Sequence, residues 1–171
     1  MTTLLLVRHG ETDWNAERRW QGHADVPLND RGREQARTLA DRLAGERIDA
    51  IYTSDLGRAR ETAEILAARL GVPVVTDPDL REIDVGSREG LTGDQGDRPW
   101  DGETHDAHAA RMLGAVHRIA AGHPEERVLV VTHGGSMRRI DEHLGLENSG
   151  PFENCAVSAY AHEDGILRAL D

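Results

Sequence analysis

Two histidines and two arginines stand where predicted strands end, in a pattern that suits the transfer of a phosphoryl group. Arg8 and His9 follow one apolar run, Arg58 lies one helical turn beyond another, and His133 follows a further one. Ligands of open α/β sheets bind beyond the carboxyl ends of the strands, so we expect these side chains to converge. The arginines can hold a phosphate bidentately, while one neutral histidine attacks phosphorus and the other stabilises the equatorial oxygens.

Backbone amides and a carboxyl group complete the predicted pocket. Glycines at Gly10, Gly134 and Gly135 allow backbone N–H groups to approach a phosphate closely. The leaving oxygen also needs a proton, and Glu82, in a loop after the strand predicted at 74–75, is the candidate acid. Three other carboxylates close in sequence remain alternatives: Asp79, Asp84 and Glu89.

Some of these residue types also have simpler interpretations. Arg58 on a helix face could instead pair with Glu61. His105 and His108, three residues apart, suggest a metal pair, but no third ligand follows at a suitable spacing, so we interpret both as part of a solvated helix face. Cys155 is interpreted as a buried small residue and not as a reactive thiol.

Strands and helices must position the candidate catalytic residues, and the spacing of apolar residues predicts where these elements lie. Apolar runs predict strands at 4–7, 48–53, 74–75 and 128–131, with a C-terminal hairpin at 156–160 and 166–170. Helical spacing predicts helices at 31–44, 55–70, 104–121 and 136–144. Strands that alternate with helices indicate an α/β fold with a largely parallel sheet. The length of 171 residues suits a single domain over 1–171.

The amino-acid composition excludes some catalytic mechanisms and argues against some classes of partner. All 20 basic residues are arginine, which excludes mechanisms that need a lysine amine. The formal net charge of −11 argues against nucleic acid or an anionic membrane surface as the main partner. Cys155 is the only cysteine, so no intramolecular disulfide can form and a reducing compartment fits. No basic leader and no run of about 20 apolar residues is present, so we expect a cytoplasmic protein.

The same residues belong to an ordered series of motifs that resembles the histidine phosphatase superfamily, the phosphoglycerate-mutase-like proteins. The motifs are Arg8-His9-Gly10-Glu11-Thr12 with Trp14-Asn15, Gln21-Gly22, Ser54-Asp55-Leu56-Gly57-Arg58-Ala59, Leu80-Arg81-Glu82 and Thr132-His133-Gly134-Gly135. The resemblance covers nearly the whole chain in the right order. It implies a three-layer sandwich, in which helices flank a mainly parallel central sheet.

The resemblance also implies a role for each site residue. His9 would be the nucleophile that forms a phosphohistidine, and the rest of the phosphate pocket would be Arg8, Arg58 and His133. Glu82 would donate the proton and later activate water. Substrate and phosphate binding would be completed by Asn15, Gln21, Gly22 and Gly134. No metal or cofactor is implied, because the arginines and the second histidine supply the positive charge.

One region departs from the family pattern. Only residues 91–101 separate Glu89-Gly90 from Gly102-Glu103-Thr104, where relatives commonly carry a longer helical insertion that forms a lid. We therefore expect a reduced lid, an open pocket, and phosphatase activity on a small phosphorylated metabolite. The alternatives are mutase-type phosphoryl transfer, phosphoprotein hydrolysis and a non-catalytic, phosphate-binding regulatory role. Several family members form homodimers, and the sequence leaves the oligomeric state open.

Overall fold

A computed structural model of the chain describes residues 1–95, 98–146 and 150–170. In these residues six strands form one sheet: β1 (Thr2–Arg8), β2 (Ala50–Thr53), β3 (Val74–Thr76), β4 (Arg127–Thr132), β5 (Val157–Glu163) and β6 (Ile166–Ala169). The helices are α1 (Asp13–Ala16), α2 (Asp30–Leu43), α3 (Gly57–Leu70), α4 (His105–Gly122) and α5 (Gly134–His143), and short 3₁₀ turns span Pro78–Leu80, Gly86–Arg88 and Gly93–Gln95. None of these helices combines the length and the apolar character that a bilayer span requires.

The sheet is parallel on one side and antiparallel on the other. Its strand order is β3-β2-β4-β1-β5-β6. β1 and β4 pair in parallel from Thr3 opposite Arg127 to Arg8 opposite Thr132, and β2 pairs in parallel with both β3 and β4. β5 runs antiparallel to β1 and to β6. The predicted, mainly parallel sheet and its C-terminal hairpin are confirmed.

A hydrophobic cluster on each face of the sheet produces the predicted three layers. Leu4 of β1 belongs to the cluster that contains Met112 of α4. The next residue, Leu5, belongs to the opposite cluster with Leu39 of α2 and Leu66 of α3. Successive side chains of a strand point to opposite faces, so a strand covered by helices on both sides is apolar at every position. This burial explains the unbroken apolar run with which the chain begins.

Helix starts follow capping chemistry. α2 begins after Asn29, whose side chain caps the helix by accepting a hydrogen bond from Gly32 N at 2.8 Å. α5 begins at Gly134, two residues before its predicted start. Glycine disfavours a helix interior, but first-turn N–H groups have no partner within the helix. Gly135 N instead donates to the Glu82 carboxylate at 3.0 Å, so this helix start also belongs to the site described below.

The region predicted to carry a reduced lid is short and tied to a neighbouring loop. Gly90 N donates to Trp20 O at 2.8 Å, and Arg19 and Thr92 form a β-bridge. The described residues of the segment 91–101 contain a 3₁₀ turn and no α-helix. Two positions of this segment fall outside the described residues. The described part therefore matches the predicted reduction of the lid.

Candidate active site

A cleft of about 370 Å³ opens beyond the carboxyl ends of β1, β4 and β2, which are neighbours in the sheet. Of the residues to which the family resemblance assigns a role, all except His133 line it: Arg8, His9, Asn15, Gln21, Gly22, Arg58, Glu82 and Gly134. His133 lies against His9, with the two ring centroids 5.2 Å apart. The structure thus brings together the residues that the motifs singled out.

His9 is fixed at the end of β1 by backbone hydrogen bonds. Its N–H donates to Thr132 O at 3.0 Å, and Gly10 N donates to Thr62 Oγ1 of α3 at 3.1 Å. A Cβ on Gly10 would lie 2.4 Å from the carbonyl oxygen of Gly32 in α2. The prediction that Gly10 offers its amide to a phosphate is therefore wrong. This glycine serves the close packing of the loop on α2.

The imidazole of His9 has one tautomer and no charge. Its Nδ1 lies 2.6 Å from the carbonyl oxygen of Gly10, and because a carbonyl only accepts, Nδ1 carries the proton. Nε2 therefore keeps its lone pair. Burial, reinforced by the charges of Arg58 and Arg8, lowers the pKa of His9 well below its ordinary value. At neutral pH the ring is chemically equipped to act as a nucleophile through Nε2.

Arg58 is buried together with its charge. Its Nη1 donates to Ala24 O and its Nη2 to Gly22 O, each at 2.7 Å, whereas Nε has no partner among the described residues. Burial lowers the pKa of Arg58 to about 10, which leaves the side chain charged at neutral pH. Glu61, the alternative partner considered from the sequence, pairs with Arg33 at 2.6 Å instead.

Arg8 and His133 add two more buried nitrogens that have no hydrogen-bond partner among the described residues. Arg8 donates from Nη1 to Phe152 O, while its buried Nε is unpartnered in the described part of the chain. His133 Nε2 lies 2.9 Å from Ser54 Oγ, which accepts from Leu56 N at 3.3 Å and keeps its own proton to donate. In the tautomer whose Nε2 accepts that proton, His133 carries its own proton on Nδ1, which is also unpartnered there. Buried donors left in this way are suited to an anion.

Glu82 reaches the cleft from the loop after β3, where backbone amides hold its carboxylate. Oε1 accepts from Ile83 N at 2.9 Å and Oε2 from Gly135 N at 3.0 Å. A Cβ on Gly135 would lie 2.4 Å from Oε1, so glycine leaves the room that this carboxylate needs. Of the described residues that line the cleft, Glu82 is the only carboxylate. The three alternative acids bind other groups outside it: Asp79, Asp84 and Glu89.

Asn15 and Gln21 are oriented by the loop around α1. Thr12 caps α1 by accepting from Asn15 N at 3.1 Å, and its hydroxyl donates to Gln21 Oε1 at 2.8 Å. Asn154 donates to Asn15 Oδ1 at 3.2 Å and to His9 O at 3.1 Å. The side-chain oxygens of Asn15 and Gln21 are thus occupied, and their NH₂ groups, which make no hydrogen bond to other described residues, are left for a ligand.

The cleft also contains residues that the sequence reasoning missed. They are Arg18, Arg19, Ile83, Val85, Arg138, Pro151 and Phe152. Trp20 and the predicted Gly135 also line the cleft. Arg138 could have been found, because it lies one helical turn beyond Gly134 on the same face of α5. Pro151 and Phe152 could not, because they stand far from the other site residues in a segment without periodicity.

The interpretation of His105 and His108 as a solvated pair is wrong for His108. His105 is exposed, but His108 is only 1% exposed because the face of α4 that carries it packs on α5. Its Nε2 lies 3.0 Å from Ser136 Oγ and 3.9 Å from Glu82 Oε1. Across the described ranges, no three His, Cys, Asp or Glu side chains are grouped so that they could hold a metal ion.

Comparison with known proteins agrees with this geometry. The family model of the histidine phosphatase superfamily (branch 1) matches residues 4–169. Phosphoglycerate mutase-like protein 4 of Arabidopsis thaliana is 45% identical over 159 residues, which cover 81% of this chain and 69% of that protein. A metal-independent phosphoserine phosphatase of the same plant is 42% identical over 179 residues, covering 92% and 75%. The solved structure of Bacillus stearothermophilus YhfR superposes with a TM-score of 0.91 at 36% identity, covering 99% of this chain and 95% of that one. The chain belongs to the histidine phosphatase superfamily, branch 1.

Proposed function

We propose that this histidine phosphatase hydrolyses small phosphate monoesters through a phosphohistidine formed on His9. The observation that carries the proposal is the position of His9: its Nδ1 is hydrogen-bonded to Gly10 O, which leaves Nε2 free in a cleft lined by two arginines whose Nε–H groups have no partner among the described residues. The cleft volume of about 370 Å³ suits a small molecule. The metal-independent phosphoserine phosphatase among the relatives supports hydrolysis without a metal ion.

In the first step the phosphoryl group moves from the ester to His9. Arg8, Arg58 and His133 bind the equatorial oxygens, where charge spreads in the transition state. The lone pair of His9 Nε2 forms the bond to phosphorus while the bond to the ester oxygen breaks. Glu82, in its protonated form, gives its proton to that oxygen, and the alcohol leaves.

In the second step water returns the enzyme to its starting state. Glu82, now a carboxylate, takes a proton from a water molecule that attacks phosphorus. The bond between phosphorus and His9 Nε2 breaks, inorganic phosphate leaves, and both side chains regain their initial protonation. The acid of one step is the base of the next, so one carboxylate is sufficient, and the cleft wall supplies one.

A mutase is the second candidate, since a mutase-like protein is also among the relatives. A mutase must retain a phosphorylated intermediate while it reorients, which requires a closed site. The described residues of the segment 91–101 form a short turn beside Arg19 and not a helical lid. This openness favours release of the alcohol and entry of water. We therefore propose a phosphatase that acts on a small metabolite in the cytoplasm.

The test is phosphate release from p-nitrophenyl phosphate in the presence of a chelator. We compare the unmodified protein with His9→Ala and with a matched control, His143→Ala, which removes an exposed histidine of α5. We expect activity that survives the chelator, persists in the control and falls about a thousandfold or more in His9→Ala. Mass spectrometry of the acid-labile phosphoryl adduct should locate it on His9.

Three results would contradict the proposal. Full activity in His9→Ala would exclude this nucleophile. Conversion of 3-phosphoglycerate to its 2-isomer faster than phosphate release would identify a mutase. No phosphate release from p-nitrophenyl phosphate or from a panel of metabolites, together with a thermal shift on adding vanadate, would identify a binding protein.

A further inference from the structure

The cleft carries much more positive charge than one phosphoryl group needs. Five arginines line it, against one described carboxylate, in a chain whose formal net charge is −11: Arg8, Arg18, Arg19, Arg58 and Arg138. Arg8 and Arg58 are the deep pair assigned above to the phosphoryl group. The other three form an outer group, of which Arg18 and Arg138 are exposed to solvent at the mouth of the cleft.

Two of the three outer arginines have no partner within the part of the chain that the structure describes. Arg19 donates from Nη1 to Gly90 O at 2.7 Å and pairs with Glu17. Arg18 and Arg138 are exposed and form no ion pair or hydrogen bond through their side chains with the described residues. Exposed arginines elsewhere commonly do have carboxylate partners, as the pair of Arg37 and Glu34 at 3.2 Å illustrates.

The backbone directs both side chains to the mouth of the cleft. Arg18 follows α1 with φ of 56°, a left-handed conformation that residues with a Cβ rarely adopt and that clusters at functional sites. Its N–H donates to Asn15 O at 3.1 Å, so one turn places both Asn15 and Arg18. Arg138 lies on the cleft face of α5, and a Cβ on Gly150 would come within 3.3 Å of its Nη2.

We propose that the substrate carries a second anionic group, a carboxylate or a second phosphate, which Arg18 and Arg138 bind at the mouth of the cleft. Guanidinium forks match both groups through paired, charge-assisted hydrogen bonds. The proposal rests on the function proposed above, because it identifies the substrate class of the same site. With the lid reduced, these two arginines take the position from which a tail of the substrate can be recognised.

The experiment compares substrate pairs that differ in the second anion. The effect of a carboxylate is measured by comparing kcat/KM for 3-phosphoglycerate with kcat/KM for glycerol 3-phosphate. The effect of a second phosphate is measured by comparing kcat/KM for fructose 1,6-bisphosphate with kcat/KM for fructose 6-phosphate. The variants are Arg18→Gln and Arg138→Gln. The matched controls are Arg37→Gln on α2 and Arg139→Gln, the neighbour of Arg138, which pairs with Glu142 at 2.8 Å and does not line the cleft.

We expect the unmodified protein to prefer the doubly anionic member of at least one pair by about tenfold or more, the size of one good charge-assisted contact. Arg18→Gln and Arg138→Gln should each reduce this preference by about threefold or more, whereas the two control variants should retain it. The preference should also weaken with rising salt, because the outer arginines are exposed. The pair that shows the effect tells whether the second anion is a carboxylate or a phosphate.

The proposal would be overturned if kcat/KM were nearly equal for the two members of both substrate pairs. It would also be overturned if the preference for the doubly anionic substrate remained in both variants. These outcomes differ from a failure of the proposed function. Hydrolysis of p-nitrophenyl phosphate that depends on His9 would still establish the histidine phosphatase while the ratios exclude a subsite at Arg18 and Arg138. Loss of that hydrolysis would overturn both.

Discussion

The proposed nucleophile must be uncharged, and this requirement has a measurable consequence for stability. His9 and His133 are buried, and burial and nearby arginines keep the pKa of each ring well below its ordinary value. In the unfolded chain both rings titrate near a pKa of about 6.5. Below that pH the unfolded state takes up protons that the folded state does not, so the free energy of unfolding falls as the pH falls.

The size of this change in the free energy of unfolding follows from the protonation of the rings in the folded and in the unfolded chain. Between about pH 7.5 and pH 5.5, one ring that stays neutral in the folded protein costs about 1.4 kcal/mol of stability, and two rings cost about 3 kcal/mol. The double variant His9→Gln/His133→Gln lacks both rings and should lose less stability over this interval by that amount. Other groups, such as His108 with its pKa lowered mainly by burial, contribute equally to both proteins and cancel in the difference.

Urea unfolding at several pH values measures the effect, as the difference between the pH slopes of the two proteins. The control is His105→Gln/His143→Gln, which removes two exposed imidazoles and should keep the slope of the unmodified protein. If the unmodified protein and the double variant lose the same stability between these pH values, the buried rings are protonated in the folded state. That result would exclude a neutral nucleophile at His9.

Four further substitutions test other contacts of the site and of the fold. Glu82→Gln should lower kcat/KM by about a hundredfold or more for an alkyl phosphate, and less for p-nitrophenyl phosphate, whose leaving group needs no proton; equal losses would argue against an acid at this position. Gly135→Ala should reduce activity because its Cβ would lie 2.4 Å from the Glu82 carboxylate. The control is Gly114→Ala, whose Cβ would have no atom within 4 Å. This control should keep activity and add about 0.5–1 kcal/mol to the free energy of unfolding in urea. Tyr160→Phe removes the donor at 2.5 Å from buried Asp141 and should cost about 1–3 kcal/mol in the same assay, and no loss would show that this bond adds nothing.

The sequence predicted the parts of the fold that follow from the spacing of apolar residues and from the order of the elements along the chain. The apolar run at 4–7 predicted a strand buried on both faces, and Leu4 and Leu5 do belong to opposite clusters. Cys155 is buried as predicted, and burial raises the pKa of its thiol to about 11. The start of α5 was misplaced because propensity counts Gly134 and Gly135 against a helix, whereas the first turn tolerates them.

The parts that failed depend on which surfaces meet. Nothing in the local sequence distinguishes His108 from His105, and only the packing of α4 on α5 buries one and leaves the other in solvent. Arg58 had a plausible partner in Glu61, but α2 brings Arg33 to that carboxylate. Phe152, whose carbonyl accepts from Arg8, lies far along the chain from its partner. Such pairings are properties of the tertiary structure, which periodicity does not report.

The site also explains why its buried cations are arginines. Among the described residues, Arg58 donates to carbonyl oxygens and to no carboxylate, and burial lowers its pKa to about 10, so it remains charged at neutral pH. A lysine buried to a similar degree can drop by about 3–5 units from a lower starting pKa, which would discharge it near neutrality. A carboxylate beside the arginine would satisfy its free Nε–H, but it would also cancel the field that helps to keep His9 neutral. Because the arginines are incompletely paired, they keep N–H groups free to bind the phosphate. Their uncompensated charge also helps to keep the nucleophile His9 uncharged.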